Sequence, residues 1–178
     1  AAGCESLVIH FLHAYANPAH ERRMREILAA EHPGAAVSLS SEVLRAYREY
    51  ERAMTTLVDA AVKPRVARYV ATIAQRLDAM APGRPLPFYV MKSNGGTQTF
   101  AVSEELPIHM VESGPVGGVI GAAAVGAAVG LRDLITLDIG GTTAKCSLVE
   151  DGQVKITTEY RIERDQFRRL GAALRLCH

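Results

Sequence analysis

The stretch Leu134-Ile-Thr-Leu-Asp138-Ile-Gly140-Gly141-Thr142-Thr143-Ala-Lys145-Cys-Ser-Leu-Val149 constrains the fold more than any other. An apolar run ends in an aspartate, turns through two glycines and two threonines, and re-enters an apolar run. Two such runs around a glycine turn read as a hairpin over 134–138 and 143–149. The turn also suits a phosphate. Glycines let the backbone approach an anion closely at positive φ, and successive N–H groups form an anion-binding concavity. The threonine hydroxyls add donors, and Asp138 can hold hydrated magnesium, a hard cation that prefers oxygen ligands. A tight turn in which the glycines serve only the backbone is the other reading of the same residues.

Two further glycine turns stand nearby. Lys92-Ser93-Asn94-Gly95-Gly96 follows the apolar strand Phe88-Tyr-Val-Met91, and in open α/β sheets ligands gather beyond the carboxyl ends of strands. Glu112-Ser113-Gly114-Pro115-Val-Gly117-Gly118 opens an alanine-rich helix ending near Val129, closed by Gly130. Helix N-termini attract anions, although Gly117, Gly118 and Gly121 could equally let the helix lie close on a sheet. Three such turns between Ser93 and Thr143 argue for one shared ligand.

The rest of the chain reads as α/β. Residues 5–13 form an apolar strand, as in a buried parallel sheet. Asn17-Pro18 starts a helix to about Glu31, which His32-Pro33-Gly34 stops. Residues 36–39 are a second strand, so strand, helix and strand imply a crossover unit. A long helical region spans about 43–81, interrupted at Pro64 by a kink or a junction. Its expected buried stripe runs through Leu44, Tyr47, Tyr50, Met54, Leu57, Ile73, Leu77 and Met80. Glu51 and Thr55 share a helix face at i, i+4, and a solvated face explains Glu51, Arg52, Thr55 and Thr56 equally well. Ser103-Glu104-Glu105 reads as the cap of a short helical turn. After the hairpin, Asp151-Gly152 turns the chain into a strand over 154–158.

Composition narrows the class. The chain has 178 residues, 48% of them hydrophobic, and a formal net charge of +1. Such a balance gives no electrostatic case for nucleic acid or a membrane surface. The apolar run over 116–129 is too short for a membrane span. Cys4, Cys146 and Cys177 lack metal-ligand spacing, which fits a reducing cytoplasm. His10, His13 and His20 lack the spacing of a firm metal site. No nucleophile elbow, CxxC pair or Walker lysine motif is present.

The ordered set His13-Ala-Tyr15-Ala-Asn17-Pro18-Ala-His20-Glu21, Ser40-Ser41-Glu42-Val43, Tyr50-Glu51-Arg52 with Thr55-Thr56, Ser93-Asn94-Gly95-Gly96, Ser113-Gly114-Pro115-Val116-Gly117-Gly118 and Asp138-Ile139-Gly140-Gly141-Thr142-Thr143 resembles the hydantoinase A/5-oxoprolinase/acetone carboxylase β family. Ala144-Lys145 looks most like its N-methylhydantoinase-type branch. The resemblance implies a portion of an actin-like (ribonuclease H-like) ATPase fold, a mixed sheet with long packing helices. It implies ATP and Mg2+, and phosphorylation of a carbonyl or lactam oxygen as the step that drives ring opening or carboxylation. Asp138 would be the catalytic and metal-ordering residue. Gly140, Gly141, Thr142, Thr143 and Lys145 would hold phosphates, with Ser113, Gly114, Gly117, Gly118, Asn94 and Gly95 beside them. Many relatives carry an acidic residue where Lys145 stands, so Lys145 would neutralise phosphate rather than bind metal.

The implied layout places 1–40 in the C-terminal part of the first ATPase lobe, 41–92 as a helical connection and strand into the second, and 93–160 as the phosphate-loop part of the second lobe. It leaves 161–178 as an atypical tail, either a non-native end or an amphipathic closing helix. Both ends read as truncated, with the family's first phosphate loop and adenosine segment absent. The expectation is a fragment, inactive alone, of an ATP-dependent hydantoinase/5-oxoprolinase-type amidohydrolase opening a cyclic amide. An acetone carboxylase-like ATP-binding subunit and a sugar-kinase-like protein are the alternatives. Expected partners are nucleotide, a small cyclic amide or carbonyl substrate, and a second hydantoinase-type subunit or another copy of the chain.

Overall fold

The computed structural model of the chain describes residues 4–80, 82–83, 87–140, 144–154, 156–157 and 176–177. Gly141, Thr142 and Thr143 and the tail segment 161–175 lie outside the described residues. The chain divides into two compact units, Ala1–Tyr89 with Thr99–Ile108, and Val90–Gln98 with His109–His178.

In the first unit, β1 (Ser6–Ile9) and β2 (Ala36–Leu39) pair in parallel, Ser6 opposite Ala36 and Ile9 opposite Leu39. The helix α1 (Ala19–Glu31) joins them, the crossover that the sequence implies. Asn17 acts at its start, where Oδ1 accepts from the Ala19 N–H at 3.1 Å. The first strand is shorter than the apolar run over 5–13. Beyond Ile9 the backbone turns to carboxylates instead of a neighbouring strand: Phe11 N–H donates to Glu21 at 2.9 Å and His13 N–H to Glu49 at 3.0 Å.

The long helical region differs from expectation in three respects. A short α2 (Ser40–Val43) stands apart from α3 (Glu49–Met80), because Leu44 is extended at φ −148° and ψ 111°. The helix α3 is one element of 32 residues with Pro64 inside it, so no junction of two helices falls at Pro64. A proline removes one ladder bond, and packing of α3 along β1, β2 and the short α4 (Phe100–Glu105) holds the rest. The buried face is also a different one. Tyr47, Tyr50, Met54, Leu57 and Met80 are exposed, whereas Arg52, Thr56, Asp59, Ala60 and Val70 are buried. Thr99, rather than Ser103, caps α4, its hydroxyl accepting from the Val102 N–H at 3.4 Å.

In the second unit, β3 (Tyr89–Met91) and β4 (Thr97–Thr99) form a two-stranded sheet around the Ser93-to-Gly96 turn, with Tyr89 and Thr99 themselves assigned to the first unit. The helix α5 (Ser113–Ala128) precedes the hairpin of β5 (Leu134–Ile139) and β6 (Ala144–Glu150). A turn with both Asp151 (φ 53°) and Gly152 (φ 74°) left-handed leads into β7 (Gln153–Val154), antiparallel to β6. Beyond it β8 (Ile156–Thr157) pairs in parallel with β9 (Leu176–Cys177).

Val116, Val119 and Val149 form the core of this unit, with Ile120, Ala123, Leu134 and Val154 against them. The helix is not buried all round, since Val125 is exposed. Close helix–sheet approach falls at Gly126 rather than at the earlier glycines. A Cβ there would stand 2.5 Å from Leu134 Cδ1 and 2.9 Å from Leu131 O, whereas Gly118 and Gly121 have nothing within 4 Å. The outward face of β5 is apolar and uncovered among the described residues, with Ile135 74%, Leu137 65% and Ile139 69% exposed.

Candidate functional site

The antiparallel register sets Asp138 opposite Lys145, and cross-strand partners share a face of the sheet. On that face Ser147 and Val149 are buried against α5, and Lys145 is partly covered. Burial pulls the Lys145 pKa below its ordinary 10.5. Its Nζ donates to the carboxylate of Glu112 rather than to Asp138. Among the described residues nothing bonds to the exposed Asp138 carboxylate.

Glu112 immediately precedes α5. It adopts φ 63° and ψ 16°, and its side chain makes no cap to the helix. Ser113 is the first helical residue, so the acid, the base and the helix start meet at the end of the hairpin nearest the glycine turn. Gly114 and Gly118 have nothing within 4 Å of where a Cβ would stand, and Gly117 makes ordinary contact with Met91 at 3.8 Å. Gly114 and Gly118 are exposed and leave open space where a side chain would stand.

The Asn94 turn packs on the same helix. Asn94 Oδ1 accepts from the Gly96 N–H at 3.1 Å. Gly95 has φ 86°, and a Cβ there would stand 2.6 Å from Ile120 Cδ1, so Gly95 has a packing role as well as a conformational one. Ser93 is committed to His109, whose carbonyl accepts from both its N–H and its hydroxyl at 2.7 Å. A cavity of about 550 Å³ is lined from both α5 and β5, by Pro115, Gly118, Val119 and Leu134 and, towards the end of β5, by Asp138. Its lining is mainly apolar.

Thus Asp138, Lys145, Ser113, Gly114, Gly117, Gly118, Asn94 and Gly95 all fall in the second unit, and Gly140 follows directly on β5. Glu112 was not singled out by the sequence as a site residue. The signal available for it was its position immediately before Ser-Gly-Pro at a helix start.

The first unit holds a second polar cluster. The Glu21 side chain is fully buried and accepts from Ser40 Oγ at 2.5 Å, Phe11 N–H at 2.9 Å and Ser41 N–H at 2.9 Å. Burial raises its pKa, but the Ser40 hydroxyl and the two backbone donors outweigh it and hold the carboxyl below its ordinary 4.5. Arg52, also fully buried, donates to Phe11 O at 2.8 Å, Ala46 O at 3.2 Å and Glu49, and lies over the Tyr15 ring. Asp59 accepts from Ser38 Oγ at 2.6 Å and Ile108 N–H at 3.1 Å. These bonds place Arg52 and Thr56 inside the unit, not on a solvated face. Among the described residues no three His, Cys, Asp or Glu side chains cluster as a metal site, and no helix is long and apolar enough to cross a membrane.

The sequence profile of the family described as Hydantoinase/oxoprolinase matches residues 52–175. An uncharacterized protein of Methanocaldococcus jannaschii is 37% identical over 158 residues, 89% of this chain and 23% of its own length. Caprolactamase subunit alpha of Pseudomonas jessenii is 28% identical over 155 residues, 87% of this chain and 22% of that subunit. The crystal structure of that organism's ATP-dependent caprolactamase superposes with a TM-score of 0.68 at 30% identity, covering 81% of this chain and 20% of that one. The nucleotide-free structure of acetone carboxylase, from work on ATP-dependent acetone carboxylation, gives 0.73 at 32% identity, covering 84% and 21%. The chain therefore spans under a quarter of the length of these relatives. It shares their mixed α/β, ATPase-type fold.

Proposed function

Because the chain belongs to the hydantoinase/oxoprolinase family, we propose that it is part of an ATP-dependent enzyme that opens a cyclic amide, with the β5–β6 hairpin as a phosphate-binding element. One observation carries this reading: Asp138 and Lys145 face each other across the hairpin beside the Glu112–Ser113 start of α5. An unpartnered carboxylate, a cation and open helix-start glycines supply what a magnesium-bound polyphosphate needs. Asp138 would hold Mg2+, which takes one or two protein carboxylates and leaves its remaining positions to water and phosphate. When bound, Mg2+ would neutralise charge on the phosphates. Lys145 would bind phosphate as a point charge. The Gly140–Gly141 backbone, Thr142, Thr143 and the Ser113 and Gly114 N–H groups would add donors. Gly117, Gly118, Asn94 and Gly95 would shape the surface beside them. Positioning and electrostatic stabilisation carry most of the work in phosphoryl transfer.

We assign residues 93–160 to the second of two ATPase lobes, and infer that a further subunit completes the enzyme, as the name of the caprolactamase alpha subunit suggests by analogy. The test is ATP hydrolysis by the enzyme carrying this segment, measured with hydantoins and lactams. Turnover stimulated by a cyclic amide is expected, and Asp138→Asn should lower it by about 100-fold or more. Stimulation by bicarbonate and a ketone, with none from a cyclic amide, would replace ring opening with carboxylation. No ATP turnover under either condition would overturn the reading.

A further inference from the structure

We propose that Glu112 is an internal counter-ion that holds Lys145 until a polyphosphate displaces it, so that ligand binding exchanges a carboxylate for a phosphate on the same ammonium. This inference rests on the phosphate reading above and assigns it a residue that the motifs do not name.

Three observations converge on Glu112. The first is its partner. Lys145 Nζ, on the strand bordering the glycine turn, donates to the Glu112 carboxylate although Asp138 stands directly across the hairpin. The second is its backbone. A φ of 63° places a non-glycine residue in the left-handed region, which is uncommon outside asparagine and aspartate and clusters at binding and switch sites. The third is what the side chain omits. A Ser, Thr, Asp or Asn entering a helix satisfies the first free N–H groups with its side-chain oxygen; Glu112 makes no such bond. Its carboxylate is turned away from the helix start and spent on Lys145.

The consequence is electrostatic. While Glu112 holds Lys145, the site presents the negative charges of Asp138 and Glu112 with one cation between them. If Asp138 holds Mg2+, its charge would be offset, and the phosphates of a nucleotide would compete with Glu112 for Lys145. Both charges are only partly covered, with side-chain exposures of 21% for Lys145 and 37% for Glu112, so the exchange does not require breaking a fully buried pair. A single phosphate offers a weak competitor and a polyphosphate a strong one. Glu112 thereby favours ligands with several phosphates over those with one. The same carboxylate keeps Lys145 near the hairpin when the site is free.

The experiment is a calorimetric titration of Mg·ATP and Mg·AMP into wild-type protein, Glu112→Gln, Glu112→Gly, Lys145→Met and the Glu112→Gln/Lys145→Met pair. Glu112→Gln should tighten ATP about 5- to 10-fold, and Glu112→Gly should do the same while relieving the positive φ. Lys145→Met should weaken ATP by a comparable factor. In the Lys145→Met background, Glu112→Gln should change ATP affinity little, because the competitor no longer has anything to hold. The ATP-to-AMP preference should narrow when Glu112 is neutralised. Tightening that persists in the Lys145→Met background would reduce Glu112 to simple repulsion and overturn the exchange. Weaker ATP binding in both Glu112 variants would also overturn it, making the pair a structural prop. Wild-type protein that binds no ATP would bring down the phosphate reading itself. Binding by wild type without the Glu112 effect would bring down only the present inference.

Discussion

Arg52 shows how much of the first unit is held by polar side chains. A fully buried guanidinium donates to two backbone carbonyls and to Glu49, and it lies 5.4 Å from the Tyr15 ring. Removing one partner of such a cluster leaves the others buried and unpaired, which typically costs several kcal/mol. Arg52→Met is therefore expected to destabilise the first unit by about 3 kcal/mol, read from its denaturant midpoint; a change under about 0.5 kcal/mol would contradict the assignment. Glu21 adds a pH dependence. Its folded-state pKa lies below the ordinary 4.5, so the unfolded chain binds the proton more readily. The stabilisation is present above that value and is lost as the pH falls through the folded pKa. Glu21→Gln should flatten the acid side of the stability profile below about pH 4.5. A profile as steep as the wild type's would show that the three bonds to Glu21 add nothing in the ionised form. Neither residue's burial was legible in the sequence. Apolar periodicity marks Tyr47, Tyr50 and Met54 for the interior. The face that α3 buries is chosen instead by the Phe11 and Ala46 carbonyls, which accept from Arg52, and by Ser38 and the Ile108 N–H, which donate to Asp59.

At the scale of elements, the sequence marks glycine and proline but not what lies opposite them. The hairpin, the Asp151-Gly152 turn, the crossover unit and the end of α5 at Gly130 are all legible, because each follows from local turn chemistry. Pro64 is the counterexample. Tertiary packing carries α3 through it as one element, at the cost of one ladder bond. Pro64→Ala is expected to raise the stability of the first unit by about 1–3 kcal/mol, and an unchanged melting temperature would indicate that the proline sits in the helix without cost. Glycines on α5 divide the same way. Gly126→Ala would drive a methyl into Leu134 Cδ1 and Leu131 O and should cost about 2 kcal/mol, as overpacking does. Gly121→Ala meets open space and should stabilise the helix by about 0.5–1 kcal/mol. Equal effects from the two substitutions would contradict the packing described for α5.

For the whole molecule, the fold class was legible in the sequence, and the candidate site was read from local motifs whose described residues fall in the second unit. The Asp-x-Gly-Gly-Thr turn, the Ser-Gly-Pro helix start and the Ser-Asn-Gly-Gly turn are local motifs, and each keeps its identity wherever it is placed. What lay beyond local reading was the alliance of Lys145 with Glu112, which depends on the hairpin meeting α5. The division into two units reflects contacts distant in sequence, with Thr99–Ile108 returning to the first unit after the β3–β4 turn. The apolar face of β5 belongs to this scale too, in a chain that spans 20% of the caprolactamase chain it superposes on. The most direct measurement of the central claim is site mapping with an ATP analogue bearing an acyl group on its terminal phosphate, which transfers that group to a lysine beside the phosphates. Peptide mass spectrometry should find the acyl group on Lys145, suppressed by excess ATP and not by AMP. ATP-suppressible labelling confined to Lys63, Lys92 or Lys155, or no suppressible labelling, would contradict a phosphate site at this hairpin.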